Sequence, residues 1–225
     1  MWKWFCLIFV IFCALLVVLH AFQGNEEEED IKAPNSMLEE LQSSNWTTIQ
    51  RRQDGSVNFY RNWTEYKEGF GDAPNGEFFL GLQKIHEFTS QTPQELLIVL
   101  KDWENNTRFA LYDHFEIGNE SEFYSLKNLG KYQGNAGDDL NSYKGMKFST
   151  YDSDNDIDES SNCAELFDGA WWFTDCGLGN VNGPYLKGDD VNKDDGVTWD
   201  AWKGAYYSLQ FSEMKLRPKQ LEIRN

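Results

Sequence analysis

The sequence predicts a mixed α+β domain that carries a long irregular segment, and three observations point to it. Branched and aromatic residues recur at strand spacing in several short runs, and a capping signature opens a short helix after Asn62. Between Gly130 and Trp202 regular patterning gives way to Gly, Asn, Asp and Ser. A loop-rich stretch of that length inside a compact domain usually carries function or a metal.

The elements follow in sequence order. Residues 1–24 open with Lys3, run apolar from Phe5 to Leu19 and reach small residues at Ala21 and Gly24, which reads as a secretory signal peptide. A membrane anchor needs about 20 apolar residues. This run has 15, so no membrane insertion is expected after signal cleavage. Residues 25–44, beginning "NEEEED", read as an acidic, solvated linker in which Met37, Leu38 and Leu41 begin a short helix. In "NWTEYKEGFG", Glu65 stands three positions after Asn62, so a capping box starts a short helix there. "ELLIVLKDW" is a branched apolar run too short for a buried helix, and reads as a buried strand. Phe109, Leu111, Phe115 and Ile117 alternate, as do Tyr207, Leu209 and Phe211, so both runs predict strands with one buried face.

Composition narrows the function. Cleavage after Ala21 removes Lys3 and leaves 19 basic against 37 acidic side chains, 18 net negative. Nucleic acid and anionic lipid need a basic face and are excluded as partners, whereas a divalent cation is favoured. Cys6 and Cys13 leave with the signal. The pair Cys163 and Cys176, thirteen positions apart in a secreted protein, reads as a disulfide. Sequons at Asn45, Asn62, Asn105 and Asn119 fit an extracellular glycoprotein. Nucleophile elbows, zinc-protease helices and phosphate loops are absent, so an enzyme is not expected, and His86 and His114 read as structural or surface residues.

The strongest chemical feature is "TYDSDNDIDESSNC", residues 150–163, where Asp152, Asp154, Asp156, Asp158 and Glu159 crowd before Cys163. Hard carboxylate oxygens suit calcium. An EF-hand does not fit: counted from Asp152, position six is Ile157 where glycine is required and position twelve is Cys163 where glutamate is required. Spacing alone leaves two readings open, a calcium loop or a solvated acidic loop.

The motifs "WTTIQRRQDGSVNFYRNWTEYKEGFG", "GEFFLGLQKIHEFT", "NLGKYQGNAGDDL", "GMKFSTYDSDND", "NCAELFDGAWWFTDCGLGNVNGPYL" and "GVTWDAWKGAYYSLQFSEMKLRP" occur in order from Trp46 to Pro218. Together they resemble the fibrinogen-related domain, the C-terminal module of fibrinogen chains, ficolins, tachylectin-like lectins and angiopoietins. The resemblance implies a fibrinogen C-terminal-like domain over residues 45–219 with a tail at 220–225. Its fold is a twisted, mainly antiparallel sheet with short helices and an irregular calcium-binding subdomain. It implies calcium bound by the Asp154 and Asp156 side chains, with backbone carbonyls near Asp158 and Ser160. One extra residue before Cys163 leaves the carbonyl assignment open by one position.

Two departures from the family follow. The upstream segment that normally supplies a glycine-rich edge strand and its own disulfide is not matched here, with the linker at 25–44 in its place, which implies either a domain that tolerates an open sheet edge or a truncated paralogue. The family's acetyl-sugar pocket combines an aromatic funnel, a cis peptide before the second cysteine and a histidine after it. The corresponding positions are Phe167, a cis bond at Asp175–Cys176, Gly177 in place of histidine, and Lys193 and Ala205 in place of two aromatics. Trp171, Trp172, Trp199 and Trp202 are read chiefly as core. The resemblance therefore implies a secreted, calcium-binding recognition module for glycans or pathogen surfaces in the manner of ficolin-like lectins, with a degraded acetyl pocket. The alternative is an angiopoietin-like module for an extracellular protein or matrix ligand.

Overall fold

The computed structural model describes residues 36–43, 45–177, 179–189 and 195–219. The expected signal segment 1–24 and tail 220–225 lie outside them. The protein forms two compact units, residues 1–44 and 45–225. In the first, helix α1 covers residues 36–42, and the i, i+3 spacing of Leu38 and Leu41 turns both onto one buried face. No helix among the described residues is long and apolar enough to cross a membrane.

The second unit is organised by an eight-stranded antiparallel sheet. Its strands are β1 (Thr47–Arg52), β2 (Phe70–Gly71), β3 (Phe78–Phe79), β4 (Gln94–Lys101), β5 (Thr107–Ile117), β6 (Leu126–Leu129), β7 (Tyr132–Gly134) and β8 (Phe211–Pro218). The order is β2-β3-β1-β8-β4-β5-β6, with β7 beside β5. β4 lies in the middle, and Leu96 to Leu100 are buried on both of its faces, which is why its sequence reads as a continuous apolar run. Burying each such side chain contributes about 1.5–3 kcal/mol. β1 pairs with β8 on one side and β3 on the other, so the open edge expected at the start of the domain does not fall on β1. The sheet ends instead in the two-residue β2 and the four-residue β6, edges too short to template much pairing.

Two strand readings need correction. In β5 the core-facing residues are Ala110, Tyr112, Phe115 and Ile117, not one unbroken odd-numbered set. The register against β4 shifts between Gln94↔Phe115 and Leu96↔Tyr112, so β5 carries an extra residue and the faces exchange at that bulge. Phe109 and Leu111 are buried on the opposite side. The alternation of Tyr207, Leu209 and Phe211 falls mainly in the segment leading into β8, where Tyr207 and Leu209 are buried and Phe211 only partly.

Helix α2 (Trp63–Glu68) starts at the expected capping box: the Glu65 amide donates to Oδ1 of Asn62 at 2.9 Å, and Glu65 Oε2 accepts from the Asn62 amide at 3.1 Å. Helix α3 (Leu82–Gln91) buries Leu82, Ile85 and Thr89 along the face packed on β5. The long segment from Gly130 to Trp202 contains β7, a 3₁₀ turn at Leu140–Tyr143 and the four-residue helices α4 (Cys163–Leu166) and α5 (Asp200–Lys203). It is held to the sheet by buried groups. Gln50 Nε2 on β1 donates to Val181 O and Asn182 Oδ1, and Trp171, Trp172 and Trp199 are each about 1% exposed, as read for core residues.

Candidate functional site: the acidic loop and the adjoining pocket

The acidic loop is shaped by successive turns in which each aspartate accepts the amide two residues on. Asp156 N donates to Asp154 Oδ1 at 3.4 Å, Asp158 N to Asp156 Oδ1 at 3.0 Å, and Ser160 N to Asp158 Oδ1 at 2.8 Å. This is the local preference of aspartate side chains for their own backbone. The loop is anchored at both ends. Asn155 Nδ2 donates to Phe148 O, and Oδ2 of Asp156 accepts from the Cys163 amide at 2.9 Å. Asp152, which opens the run, accepts from the Trp63 amide at 2.9 Å and so joins the loop to the start of α2.

Burial, helped by the charge of Asp154, holds the Asp156 carboxyl above its usual range despite the amides it accepts. Asp158 is shifted the other way, because the Ser160 hydroxyl and amide both donate to it. Asp156 also stands beside both cysteine sulfurs, but these are joined to each other, so oxygen is the available donor here. Cys163 and Cys176 form the expected disulfide, with Cα atoms 4.8 Å apart.

The bridge sets the pocket beside the loop. Phe167, Gly177 and Ala205, assigned to the pocket from three distant places in the sequence, line one concavity together with Phe173, Gly179, Asn180 and Thr198. Asn180 N donates to Thr198 Oγ1 at 2.8 Å, which closes its back, and the Tyr143 hydroxyl lies 3.2 Å from Gly177 O and 3.1 Å from Gly179 O. Spacing gave no sign of Phe173, Asn180 or Thr198, whose places depend on contacts across the fold. The concavity is half-open and its free volume is about 10 Å³, room for a single water.

One expected feature is absent. The Asp175–Cys176 peptide is trans, and among the described residues the cis bond is Ala73–Pro74. The backbone reverses at Cys176 through a left-handed conformation, φ 61°. Lys193 lies outside the described residues. The sequons are accessible: Asn45, Asn105 and Asn119 are exposed and Asn62 half-buried. Asn62 and Asn119 cap α2 and the 3₁₀ turn at Glu120–Glu122 through Oδ1, and the amide nitrogen that would bear a glycan takes no part in either cap.

The family model for fibrinogen beta and gamma chains, covering their C-terminal globular domain, matches residues 30–219. Fibrinogen C domain-containing protein 1 of Xenopus tropicalis is 47% identical over 182 residues, 79% of this chain and 39% of that protein. The Homo sapiens protein of that name is 47% identical over 178 residues, 77% of this chain and 38% of its own length. The sequence thus spans less than two-fifths of these relatives. Among solved structures, the fibrinogen-like globe domain of human ANGPTL2 superposes with a TM-score of 0.75 at 43% identity, covering 79% of this chain and 82% of that one. A lamprey fibrin D-dimer complexed with the peptide ligand Gly-His-Arg-Pro-amide gives 0.73 at 40%, covering 80% and 63%. Matched over that span and sharing its fold with globe domains at such identity, the protein belongs to the family of C-terminal globular domains typified by the fibrinogen beta and gamma chains.

Proposed function

We propose that this protein is a secreted, calcium-stabilised recognition module that binds glycans or pathogen surfaces without the acetyl selectivity of the ficolin-like lectins. The observation that carries the reading is the meeting of Phe167, Gly177 and Ala205 around one pocket beside the disulfide and the acidic loop. On this reading the ligand position of the fold is kept and its acetyl-binding chemistry is lost. A methyl group entering there meets the rings of Phe167 and Phe173 but neither a histidine at 177 nor an aromatic at 205.

The residues of the loop fit calcium. They offer carboxylate oxygens in successive turns, and the Asp154–Asp156 pair carries like charges that a dication would offset. Asp154 and Asp156 would supply the side-chain ligands, and carbonyls near Asp158 and Ser160 would complete the set. The ion would supply rigidity to the loop and no chemistry. Secretion through residues 1–24 and glycosylation at the four sequons belong to the same reading, as does the absence of a catalytic role.

A second reading, a module for an extracellular protein ligand, is favoured by the lamprey fibrin neighbour, which was solved with a peptide ligand. A glycan array probed with the secreted protein, with calcium and with chelator, tests the first reading. Calcium-dependent binding to a glycan subset without preference for acetylated sugars is expected. An array blank under both conditions sinks it and leaves the protein-ligand reading.

A further inference from the structure

On another part of the second unit lies a cleft of about 540 Å³, within the size range of small-ligand sites and far larger than the pocket beside the disulfide. Its floor is closed to ligands. Arg52 is 1% exposed, its Nη1 donates to Val181 O at 3.3 Å and to Gly183 O at 2.5 Å, and Glu77 offsets its charge from 3.7 Å away. The Phe59 ring lies over the guanidinium carbon at 4.0 Å. What a ligand can touch is therefore the wall and the rim.

The wall is built from two tyrosines. Tyr60 is 36% exposed and leans on Tyr151, with ring centroids 4.8 Å apart. Tyr185 is half-buried, and its hydroxyl, held between the carbonyls of Gln53 and Gln210, fixes the second ring. The rim adds the exposed Ser56 and Asn58 and the half-buried carboxylate of Asp168. After burial, the charges of Asp168 and Glu165 push the Tyr60 hydroxyl upward, and those of Glu77 and Asp54 do the same at Tyr185. An anion meets repulsion at such a rim, whereas a cation is drawn both to the carboxylate and to the tyrosine faces. A lysine side chain would match the charge but leave the hydroxyl of Ser56 and the amide of Asn58 unused. A pyranose that carries one ammonium matches the rings, the polar rim and the charge together.

We propose that this cleft binds a sugar with a free, protonated amine, a deacetylated hexosamine, its ring against Tyr60 and Tyr185 and its ammonium directed to Asp168. The proposal takes its ligand class from the glycan reading above and adds a site separate from the pocket beside the disulfide. The full secreted protein is titrated with D-glucosamine, D-glucose, N-acetylglucosamine and Nα-acetyl-lysine amide and followed by NMR, at about pH 6, below the range in which an α-amino group loses its proton. Glucosamine is expected to bind about tenfold more tightly than glucose or N-acetylglucosamine, the worth of one charge-assisted hydrogen bond. Its shift changes should centre on Tyr60 and Tyr185. Asp168→Asn, a change that suits the left-handed backbone there, φ 45°, should bring glucosamine down to the level of glucose. Tyr60→Ala should weaken glucosamine about fivefold through lost stacking. Equal affinity for glucose, no binding of glucosamine, an unchanged affinity in Asp168→Asn, or shift changes centred on Gly177 and Ala205 overturn the proposal. Tighter binding of the lysine amide overturns it in favour of a basic peptide. Glucosamine bound at Tyr60 while the array is blank for neutral glycans supports this site and sinks the reading of the pocket beside the disulfide.

Discussion

Oδ2 of Asp139 accepts the backbone amide of Asp200 at 2.7 Å, and the same oxygen lies against Gly179 with no room for a Cβ between them. One buried carboxylate thus joins the glycine turn at the pocket to the start of α5, whose far end leads to Ala205. Burial, with the charges of Asp200 and Asp138 adding to it, raises its pKa from 3.8 to about 6, although the Asp200 amide opposes the shift.

The stability consequence has a definite sign. A carboxyl whose folded pKa is raised binds its proton more tightly in the native state, so its stabilisation is complete below about pH 4 and lost as pH rises through about 6. Across that window Asp139→Asn should gain on the parent by up to about 3 kcal/mol, from a shift of about two pKa units at 1.36 kcal/mol each. Urea unfolding of both proteins at pH 4, 5, 6 and 7 measures this. Parallel stability profiles would refute the assignment.

Calcium at millimolar concentration should raise the melting temperature of the parent, because a ligand at a hundred times its Kd stabilises by about 2.7 kcal/mol. Asp154→Ala and Asp156→Ala should lose that shift, and Asp156→Ala should also lower stability without calcium, since its Oδ2 holds the Cys163 amide. Thermal melts with calcium and with chelator decide the matter. An unchanged parent transition in chelator contradicts it.

The bridge between Cys163 and Cys176 closes a loop of thirteen positions. Its reduction should cost about 3 kcal/mol and loosen the acidic loop with it. Intact-mass and peptide analysis of the native protein after alkylation should find no modification at Cys163 or Cys176, and denaturant melts with and without reductant measure the cost.

Retention on an N-acetylated resin should be weak for the parent and stronger for Gly177→His combined with Lys193→Tyr and Ala205→Tyr. Position 177 has space for the change: an added Cβ would sit 3.8 Å from Thr174 Oγ1 and 3.9 Å from Asp175 Oδ1, ordinary contact distances. Strong calcium-dependent retention of the unmodified protein, eluted by free N-acetylglucosamine, would show that the pocket kept its acetyl chemistry.

Sequence alone determined what depends on neighbouring residues and on ordered motifs. The capping box at Asn62 and Glu65 and the buried strand at Leu96–Leu100 are local preferences that survive in the fold. The disulfide followed from reading residues 1–24 as a signal peptide, which left Cys163 and Cys176 as the pair. Tertiary structure decided what depends on contacts between distant segments. The phase change in β5 arises from its register against β4, which alternation within one strand does not encode. The trans bond at Asp175–Cys176 is what a peptide without proline ordinarily adopts, and it departs from the cis bond that the family resemblance implied. Arg51 and Arg52 stand side by side in "QRR", yet Arg51 pairs with Glu213 on the neighbouring β8 while Arg52 turns to the other face, onto Phe59 and the carbonyls of Val181 and Gly183. Those two carbonyls are about 130 positions away, so the burial of that charge exists only once the loop after Cys176 has folded back over β1.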